Sequence, residues 1–320
     1  MHGLHRCLCG LVLLVACFGC TQLPQAAPGR VRAAPLAADA RKPLPDHVGT
    51  LELVGGYVLH AAAPDFGGIS AARFVGDRLL LLSDRSHLFE LDWPTHAPAA
   101  PFAMTILADR PLQDSRRRRL DAEALVVAPD GRILVGDEGR GRVLAYGSTG
   151  GGTPLEPPRP LPGWFAEHRP TNAGLETLAG LPDGSLLAIA EGTLADDDLH
   201  AAVRLTEGGA TSFTYRAAPG FLPTDADVAG DRLFVLERRV SLLGGWQARI
   251  VTLPVAHLPA HPGATIDGTP LATISGPVLG ENYEALAVRR DRGGFTLLVI
   301  ADDNFNGIQE TKLLELRWPG

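Results

Sequence analysis

The sequence of 320 residues predicts an all-β protein, and three observations lead to this prediction. A short signature recurs at nearly constant steps of 53, 53, 51 and 57 residues, counted through Ser70, Glu123, Glu176, Asp227 and Glu284. Each signature opens an apolar run that a turn separates from a second run, and further strand-like segments usually follow. Four strands in a repeat of about fifty residues are typical of a β-propeller blade. We therefore expect a β-propeller of about five four-stranded blades, or six if one repeat is degenerate.

The turn residues justify a hairpin in each repeat. Gly, Pro and Asp favour tight connections between antiparallel strands. The repeats place such residues at Gly76-Asp77, Pro129-Asp130-Gly131, Pro182-Asp183-Gly184, Gly230-Asp231 and Gly293-Gly294. A β-sandwich or jelly roll is the alternative fold for short strands of this kind, but neither requires a regular repeat near 53 residues.

Two strand-like segments near the N terminus, residues 51–54 and 57–59, belong to no repeat. The last repeat, which starts at Glu284, supplies only three strands of its own. We predict that the N-terminal segments provide its fourth strand and close the ring, because closure removes the exposed edges of an open sheet.

The first twenty residues have the character of an export leader. Arg6 precedes a short apolar stretch, and the chain's cysteines all lie in this region, at Cys7, Cys9, Cys17 and Cys20. Leu14-Val15-Ala16-Cys17 resembles a bacterial lipobox, in which the leader is cut before a cysteine that receives diacylglycerol. Cys20 is a second candidate for the lipidated residue, and an ordinary signal peptide with incidental cysteines is the alternative.

These features predict three segments: a signal peptide over residues 1–16, a lipid-proximal tether over 17–46 and the propeller domain over 47–320. The tether is predicted from its Ala, Pro and Arg content without apolar periodicity. The expected location is outside the cytoplasm, anchored by lipid to a bacterial membrane on its periplasmic or cell-surface side.

The charge and the apolar content of the chain limit the kinds of partner that it is expected to bind. The 29 Lys and Arg residues against 36 Asp and Glu give a formal net charge of -7. No basic stripe is long enough to neutralise a nucleic-acid backbone, so nucleic acid is not an expected partner. Beyond the leader no apolar run approaches the roughly 20 residues of a membrane span. We expect a monomer that meets the membrane only through its lipid anchor.

Hairpin geometry brings acidic residues together. The start of the first strand and the end of the second lie at the same end of an antiparallel hairpin. If the first strands line the central channel, acids from four blades converge on one mouth, and the first blade adds Ser70 and Asp84. The expected neighbours are Glu123 with Asp137, Glu176 with Glu191, Asp225 or Asp227 with Glu237, and Glu284 with Asp302.

So many carboxylates around one axis would raise one another's pKa unless a cation or hydrogen-bond donors compensate. Hard oxygen ligands suit calcium, or magnesium with bound water. We predict as metal ligands Glu123, Glu176, Glu284, Asp302, Asp137, Glu191 and Glu237. The alternative is that each acid bonds backbone N–H groups of the next blade and only staples the ring. The turn at Asp302–Gly307 fits the opening of a calcium loop, but Leu313 stands where an EF-hand needs Glu.

Arginines follow the second-strand acids, among them Arg85 and Arg140. Guanidinium groups beside a metal would hold phosphate or another anion by bidentate hydrogen bonds. The expected ligand is therefore an anionic small molecule or a phosphoester. The run Arg116 to Arg119 is interpreted instead as a solvated loop.

The ordered motifs resemble the phytase-like family, described as having esterase-like activity of phytase, over residues 48 to 318. They are Leu82-Ser83-Asp84-Arg85, Asp121-Ala122-Glu123-Ala124-Leu125, Gly136-Asp137-Glu138, Asn172-Ala173-Gly174-Leu175-Glu176, Val235-Leu236-Glu237-Arg238, Asn282-Tyr283-Glu284-Ala285-Leu286 and Asp302-Asp303-Asn304-Phe305. The resemblance implies an exported β-propeller with a phosphoesterase-like role. The lysines with which β-propeller phytases grip phosphate have no clear counterpart, since Lys42 and Lys312 are the only two after the leader.

Three functional classes follow. The first is a metal-dependent phosphoesterase in which Arg85 or Arg140 orients phosphate and Glu176 acts as base. The second is a lactonase-like hydrolase that uses the same metal on a carbonyl group. The third is a non-catalytic binding propeller of the cell envelope, in which the carboxylates are structural. The sequence has no Gly-x-Ser-x-Gly elbow, which argues against a serine esterase of the α/β-hydrolase type.

Overall fold

The computed structural model describes residues 29–36, 44–94, 100–148, 150–163, 165, 174–194 and 198–320. The sheets of these residues form five blades. Blade 1 consists of β4 (Ile69–Val75), β5 (Arg78–Ser83), β6 (His87–Asp92) and β7 (Phe102–Pro111). Blade 2 consists of β8 (Ala122–Val127), β9 (Ile133–Asp137), β10 (Arg142–Tyr146) and β11 (Arg159–Pro160).

The other three blades follow the same plan, with neighbouring strands antiparallel. Blade 3 contains β12 (Leu175–Gly180), β13 (Leu186–Thr193), β14 (Leu199–Thr206) and β15 (Gly209–Arg216), with the short β19 (Thr265–Ile266) parallel to β15. Blade 4 contains β16 (Leu222–Ala229), β17 (Arg232–Ser241), β18 (Gly245–Pro254) and β20 (Thr269–Ile274). Blade 5 contains β21 (Tyr283–Asp291), β22 (Gly294–Ala301), β23 (Lys312–Trp318) and β3 (Leu51–Ala61). Single 3-10 turns lie at Glu138–Arg140 and Val255–His257.

The blades are arranged as a closed ring. The innermost strands β4, β8, β12, β16 and β21 each contact the next, and β21 contacts β4. An apolar cluster fills each gap between neighbouring blades; one of them packs Leu187 and Ile189 of blade 3 against Leu233 and Val235 of blade 4. The predicted all-β propeller is confirmed, with five blades. We call the end of the ring at which the innermost strands begin the mouth face.

The predicted closing strand is also confirmed. Strand β3, from the N-terminal part of the chain, pairs along β23 of blade 5 from Val58 opposite Lys312 to Glu52 opposite Arg317. The two-residue strand β2 (His47–Val48) pairs with the beginning of β3. The first and last parts of the domain therefore share one sheet.

The structure corrects the expected tether. Residues 30–35 lie inside the predicted 17–46 segment, yet they form strand β1 (Arg30–Pro35), which pairs with β3 on one side and β7 on the other. Its alternate residues Val31 and Ala33 are fully buried. Burial with a period of two is what a strand with one core-facing side requires, and this strand joins the outer edges of blades 5 and 1.

The predicted signal peptide, Cys17 and the remainder of the tether up to residue 28, together with residues 37–43, lie outside the described residues. Within the described ranges, none of the helical segments is long and apolar enough to cross a membrane.

Candidate functional site

Each innermost strand carries a one-residue bulge near its start. In blade 3 the pairing passes from Leu175 opposite Ala190 to Thr177 opposite Ile189, which leaves Glu176 without a partner in the ladder. A bulge redirects the side chain of its extra residue and is common beside functional sites. The bulged residues of all five blades, which we call the bulge ring, are Ser70, Glu123, Glu176, Thr224 and Glu284.

A second ring follows at the ends of the second strands. In four blades a residue donates its backbone N–H to the carbonyl two positions before the bulge, as from Asp84 to Gly68 over 2.8 Å and from Asp302 to Asn282 over 2.9 Å. In blade 4 the matching position, opposite Leu222, belongs to Arg238. We call these residues the rim ring: Asp84, Glu138, Glu191, Arg238 and Asp302.

Two of the predicted ligands lie one residue away from the rim position of their strand. Asp137 and Glu237 precede the rim positions of their strands, and successive residues of a strand face opposite sides. Asp137 is fully buried and accepts a hydrogen bond from Arg142 Nε over 2.8 Å. Glu237 is fully buried and accepts bonds of 2.5 Å from the Tyr215 hydroxyl and 2.8 Å from Arg249 Nη1. Their contacts favour the alternative in which the acid has a structural role and only holds neighbouring strands together.

Blade 4 also departs from the expected repeat. The sequence repeat places Asp227 at the position equivalent to Glu176 and Glu284. The bulge lies instead at Thr224, so the repeat steps around it are 48 and 60 residues rather than 51 and 57. Asp225 and Asp227 instead hold a buried arginine, Arg73 of blade 1.

Arg73 fills the channel below the bulge ring, and sequence reasoning did not identify it. Both of its terminal nitrogens donate to Asp225, each over 2.9 Å. They also donate to the carbonyl oxygens of Leu178 over 2.8 Å and Leu286 over 3.0 Å, so the group touches blades 3, 4 and 5. The only sequence signal is a lone cation in the first strand of blade 1, whose other residues apart from Ser70 are apolar.

The three glutamates of the bulge ring act on one another. Burial raises the pKa of Glu123 well above its usual value, and Glu176 and Glu284 raise it further. Burial likewise raises the pKa of Glu176, with Glu191 and then Glu284 adding to the effect. The pKa of Glu284 is raised by burial although the charge of Arg238 opposes the shift. The structure therefore brings together the three glutamates that the repeat predicted.

The rim acids of blades 5 and 1 belong to the same electrostatic cluster. Burial and the charge of Glu284 raise the pKa of Asp302 to about 8. Burial also raises the pKa of Asp84, against the influence of neighbouring Arg85. Asp84 and Glu284 both act on Glu123, so the interactions extend around the mouth.

Arg238 is the cation that offsets part of this charge. Its Nη2 donates to Glu191 over 2.8 Å, while Nη1 bonds Glu284 and also donates to the side-chain oxygen of Asn282 over 2.5 Å. Its guanidinium lies 5.7 Å from the centre of the Trp246 ring. One arginine thus engages two acids, one from each ring.

A compact group of oxygen donors lies in blade 2. One carboxylate oxygen from each of Asp121, Glu123 and Glu138 falls within 4.8 Å of the others. Glu138 also accepts a 2.7 Å bond from the backbone N–H of Gly174. Carboxylate oxygens in such a group fit a hard divalent cation. Of the three, the sequence-based ligand set contained only Glu123, although the adjacent acids of the Asp121-Ala122-Glu123 and Asp137-Glu138 motifs were visible signals.

The Asp302–Gly307 turn is held by its own side chains. Asp303 accepts backbone N–H bonds of 2.9 Å from Gly68 and 3.0 Å from Phe305. Asn304 and Phe305 adopt left-handed conformations with φ values of 49° and 47°. Turn chemistry accounts for the acid-rich and Asn-rich sequence here, and Asp302 is the member that joins the rim ring.

The two predicted arginines lie on the mouth face. The guanidinium carbon of Arg85 stacks 3.3 Å from the centre of the Phe305 ring. Arg140 makes a 3.3 Å bond to Asp137, and its side chain is 37% exposed. Lys312, in contrast, is committed to an ion pair with Glu281 over 3.3 Å.

Comparison with solved structures finds proteins of low sequence identity. They include glutaminyl cyclase of Myxococcus xanthus, with 13% identity, a TM-score of 0.46 and coverage of 83% of this chain and 95% of the other. Virginiamycin B lyase of Staphylococcus aureus shows 12% identity, a TM-score of 0.40 and coverage of 84% and 88%. The PQQ-bound aldose sugar dehydrogenase of Streptomyces coelicolor shows 15% identity, a TM-score of 0.39 and coverage of 91% and 99%.

Curated proteins show no match to the sequence. The family comparison matches residues 64–305, most of the propeller, to the phytase-like description "Esterase-like activity of phytase". That span contains the bulge ring and the rim ring in full. The chain therefore belongs to the phytase-like family.

Proposed function

We propose that the chain is a divalent-cation-dependent hydrolase of phosphoesters that acts at the acidic mouth of the propeller. The observation that carries this proposal is the convergence of carboxylates from blades 1, 2, 3 and 5 that raise one another's pKa. Like charges held together in a partly buried site oppose folding unless a positive group compensates. Arg238 compensates only Glu191 and Glu284 directly.

The best candidates to hold a cation are Asp121, Glu123 and Glu138, whose carboxylate oxygens already lie together. Glu176 and Asp302 are the further candidates, because both belong to the coupled cluster. Calcium fits a set of carboxylates of flexible geometry, and magnesium is the second choice. A cation bound here would supply charge that neutralises a phosphate group and activates water for attack.

The chain's own groups would position the substrate and move the proton. Glu176 is the candidate general base, because burial and then the neighbouring acids raise its pKa well above its usual value, and a carboxylate with a raised pKa is a stronger base. Arg85, rigidly stacked on Phe305, and the partly exposed Arg140 are candidates to orient phosphate oxygens. Both arginines carry positive charge at the border of an acidic site, as binding of a phosphoester requires.

A non-catalytic binding propeller is the second candidate function. The observation that favours it is the number of acids engaged by arginines: Asp137, Glu191, Glu237 and Glu284 all have such partners. A lactonase-like hydrolase would use the same cation and the same base on a carbonyl carbon, so the choice of substrate separates it from the phosphoesterase.

The test is a hydrolysis screen with aryl phosphates, phytate and lactones, with added calcium or with EDTA. We expect calcium-dependent phosphate release that is lost in Glu176→Gln. Glu52→Gln, on the opposite face and about half exposed, is the matched control and should leave turnover unchanged. Lack of calcium-dependent turnover of every phosphoester and lactone would favour the binding propeller. Full activity of Glu176→Gln would contradict the assigned base.

We further propose that the protein is exported and anchored by lipid at Cys17, as the leader sequence indicates. The substrate would then be met outside the cytoplasm.

A further inference from the structure

The mouth face carries the most exposed apolar side chains among the described residues. Leu242 and Leu243, at the tip of the β17–β18 hairpin, are 106% and 103% exposed, and Val240 beside them is largely exposed. Ile308, in the β22–β23 connection of the next blade, is 94% exposed. Large apolar side chains grouped at the end of one face usually mark an interaction site.

The hairpin that presents the two leucines is well formed. Ser241 pairs with Gly245, and the backbone N–H of Gly244 donates to the Ser241 hydroxyl over 3.0 Å. Gly245 has a φ of 62°, a conformation that glycine adopts without strain. Ser241 lies three positions beyond rim residue Arg238, so the tip rises about 10 Å above the rim ring at roughly 3.3 Å per residue. The leucines are thus held away from the domain's own core.

The same face carries a basic loop between β7 and β8. Arg116, Arg117 and Arg119 are exposed. Asp114, which is almost fully buried, shapes the loop by accepting the backbone N–H groups of Arg116 and Arg118 over 2.8 and 2.9 Å. The loop is therefore an ordered presentation of guanidinium groups.

The N-terminal strand also starts at this face. Val31 of β1 pairs with Ala61, the last residue of β3, and β3 runs toward the mouth face because β23, its antiparallel partner, runs away from it. Strand β1 therefore runs away from the mouth face, with its N-terminal end on the mouth side of its pairing with β3. A lipid at Cys17 would be separated from β1 by only the residues 18–29.

From these three features we infer that the mouth face docks on the surface of an anionic lipid bilayer. Leu242 and Leu243 enter the headgroup region, and the Arg116–Arg119 loop contacts lipid phosphates. Apolar tips combined with arginines on one face are what an interfacial surface needs. This inference goes beyond the expected contact through the lipid anchor alone, and it does not depend on catalysis at the mouth.

Acidic groups on the same face limit how much electrostatic attraction to anionic lipid contributes to docking. Asp121 is exposed, and Asp65 and Asp198 are partly exposed. These carboxylates oppose binding to anionic lipid, so the apolar tip is needed in addition to the arginines. Binding is therefore expected to require both features.

A local probe tests the orientation independently of any lipid anchor or leader. All four natural cysteines lie in the first twenty residues, so the full chain with those cysteines changed to serine accepts one dye at one introduced cysteine. We expect an environment-sensitive dye at Leu243→Cys to shift to shorter wavelength on vesicles of phosphatidylglycerol and phosphatidylcholine. The matched control is Leu155→Cys, which is 64% exposed in the segment after β10 on the opposite face.

The charge contribution is tested in the same vesicles. Arg116→Ser with Arg117→Ser should weaken partitioning by up to roughly thirtyfold, since each cation near such a surface contributes about 1 kcal/mol. The control variant Arg290→Ser with Arg292→Ser, on the opposite face, should leave partitioning unchanged. Unchanged emission at position 243 would overturn the docking, an equal shift at position 155 would overturn the orientation, and an equal response to pure phosphatidylcholine would overturn the role of headgroup charge.

Discussion

Arg73 shows how one residue can link four of the five blades. It begins in blade 1, forms a two-bonded ion pair with Asp225 of blade 4 and donates to carbonyl groups of blades 3 and 5. Burial raises the pKa of Asp225, and the charge of Arg73 counteracts this. The pair is tolerated in the interior because almost every donor and acceptor around it finds a partner.

We predict that Arg73→Met destabilises the fold by about 3–5 kcal/mol, because it leaves Asp225 and Asp227 buried without their cation. Urea unfolding followed by circular dichroism measures the change. Arg78→Met is the control: its side chain is 57% exposed, and its partner Glu90 in the same blade keeps a second ion pair with Arg110. A surface pair contributes only about 0–1 kcal/mol, so similar losses in both variants would contradict the role of Arg73.

Asp302 gives the acidic mouth a defined pH dependence. Its pKa of about 8 in the folded chain lies above the value of 3.8 for an unperturbed aspartate. The folded state therefore binds the proton more tightly than the unfolded state does. The stabilisation that this proton gives the folded state is complete below about pH 4 and is lost as the pH rises through 8. In EDTA we expect the melting temperature to fall between pH 5 and pH 8.

Asp302→Asn should reduce the decrease in melting temperature between pH 5 and pH 8, because the amide does not titrate. Asp231→Asn, at an exposed turn on the opposite face, should retain it. Melting curves at intervals of pH provide the comparison. A wild-type melting temperature that rises steadily over this interval would show that other groups outweigh Asp302.

At the scale of strands, the sequence predicted the repeat better than the register. The signatures located Glu123, Glu176 and Glu284 correctly because a bulge marks the same position in each blade. A shift of one residue turns a side chain to the other face, and this is the difference between Glu237 and the rim residue Arg238. Local patterns cannot resolve such a shift where an acid and an arginine are adjacent.

Strand β1 was missed for a different reason. Its pattern is short, and Val31 and Ala33 are its only fully buried residues. Its partners are β3 and β7, of which β7 lies about seventy residues away in sequence. Pairing that depends on two distant edges leaves little trace in local composition, so the segment resembled a tether.

Neighbouring alanines of β1 offer a matched test of this strand. Ala33 is fully buried and Ala34 is half-buried on the other face. We expect Ala33→Asp to destabilise the protein by several kcal/mol, since the carboxylate would lack a partner in the core. Ala34→Asp should have a much smaller effect. Equal melting temperatures for the two variants would indicate that β1 contributes little to ring closure.

At the scale of the whole molecule, the ring and the acidic mouth depend on each other. Closing five blades brings the bulge and rim acids to one axis, and their mutual repulsion then opposes closure. A cation at the mouth would relieve this cost. The fold and the proposed cofactor are therefore linked through stability, whatever reaction the site performs.

We predict that calcium raises the melting temperature of the protein. A ligand present at 100 times its dissociation constant stabilises the folded state by about 2.7 kcal/mol, which for a domain of this size amounts to several degrees. Glu123→Gln should reduce the shift, because this residue belongs both to the coupled glutamates and to the compact oxygen group. Glu52→Gln should show the same rise in melting temperature with calcium as the unsubstituted protein. Identical melting curves in calcium and EDTA would favour a purely structural role for the acids.

The proposed lipid anchor would set the position of the whole domain at the membrane. Cys17 follows Leu14-Val15-Ala16 after a charged start and a short apolar stretch, and the chain enters the propeller through β1 at the mouth face. We expect labelling with radioactive palmitate in the producing cell to be lost in Cys17→Ser and kept in Cys20→Ser. Cys17→Ser should also shift the protein toward the soluble fraction at high salt, because salt screens the arginine contacts of the mouth face and leaves only its apolar tip. Labelling that is lost only in Cys20→Ser would move the anchor three residues toward β1, and absence of label from the unsubstituted protein would remove the anchor.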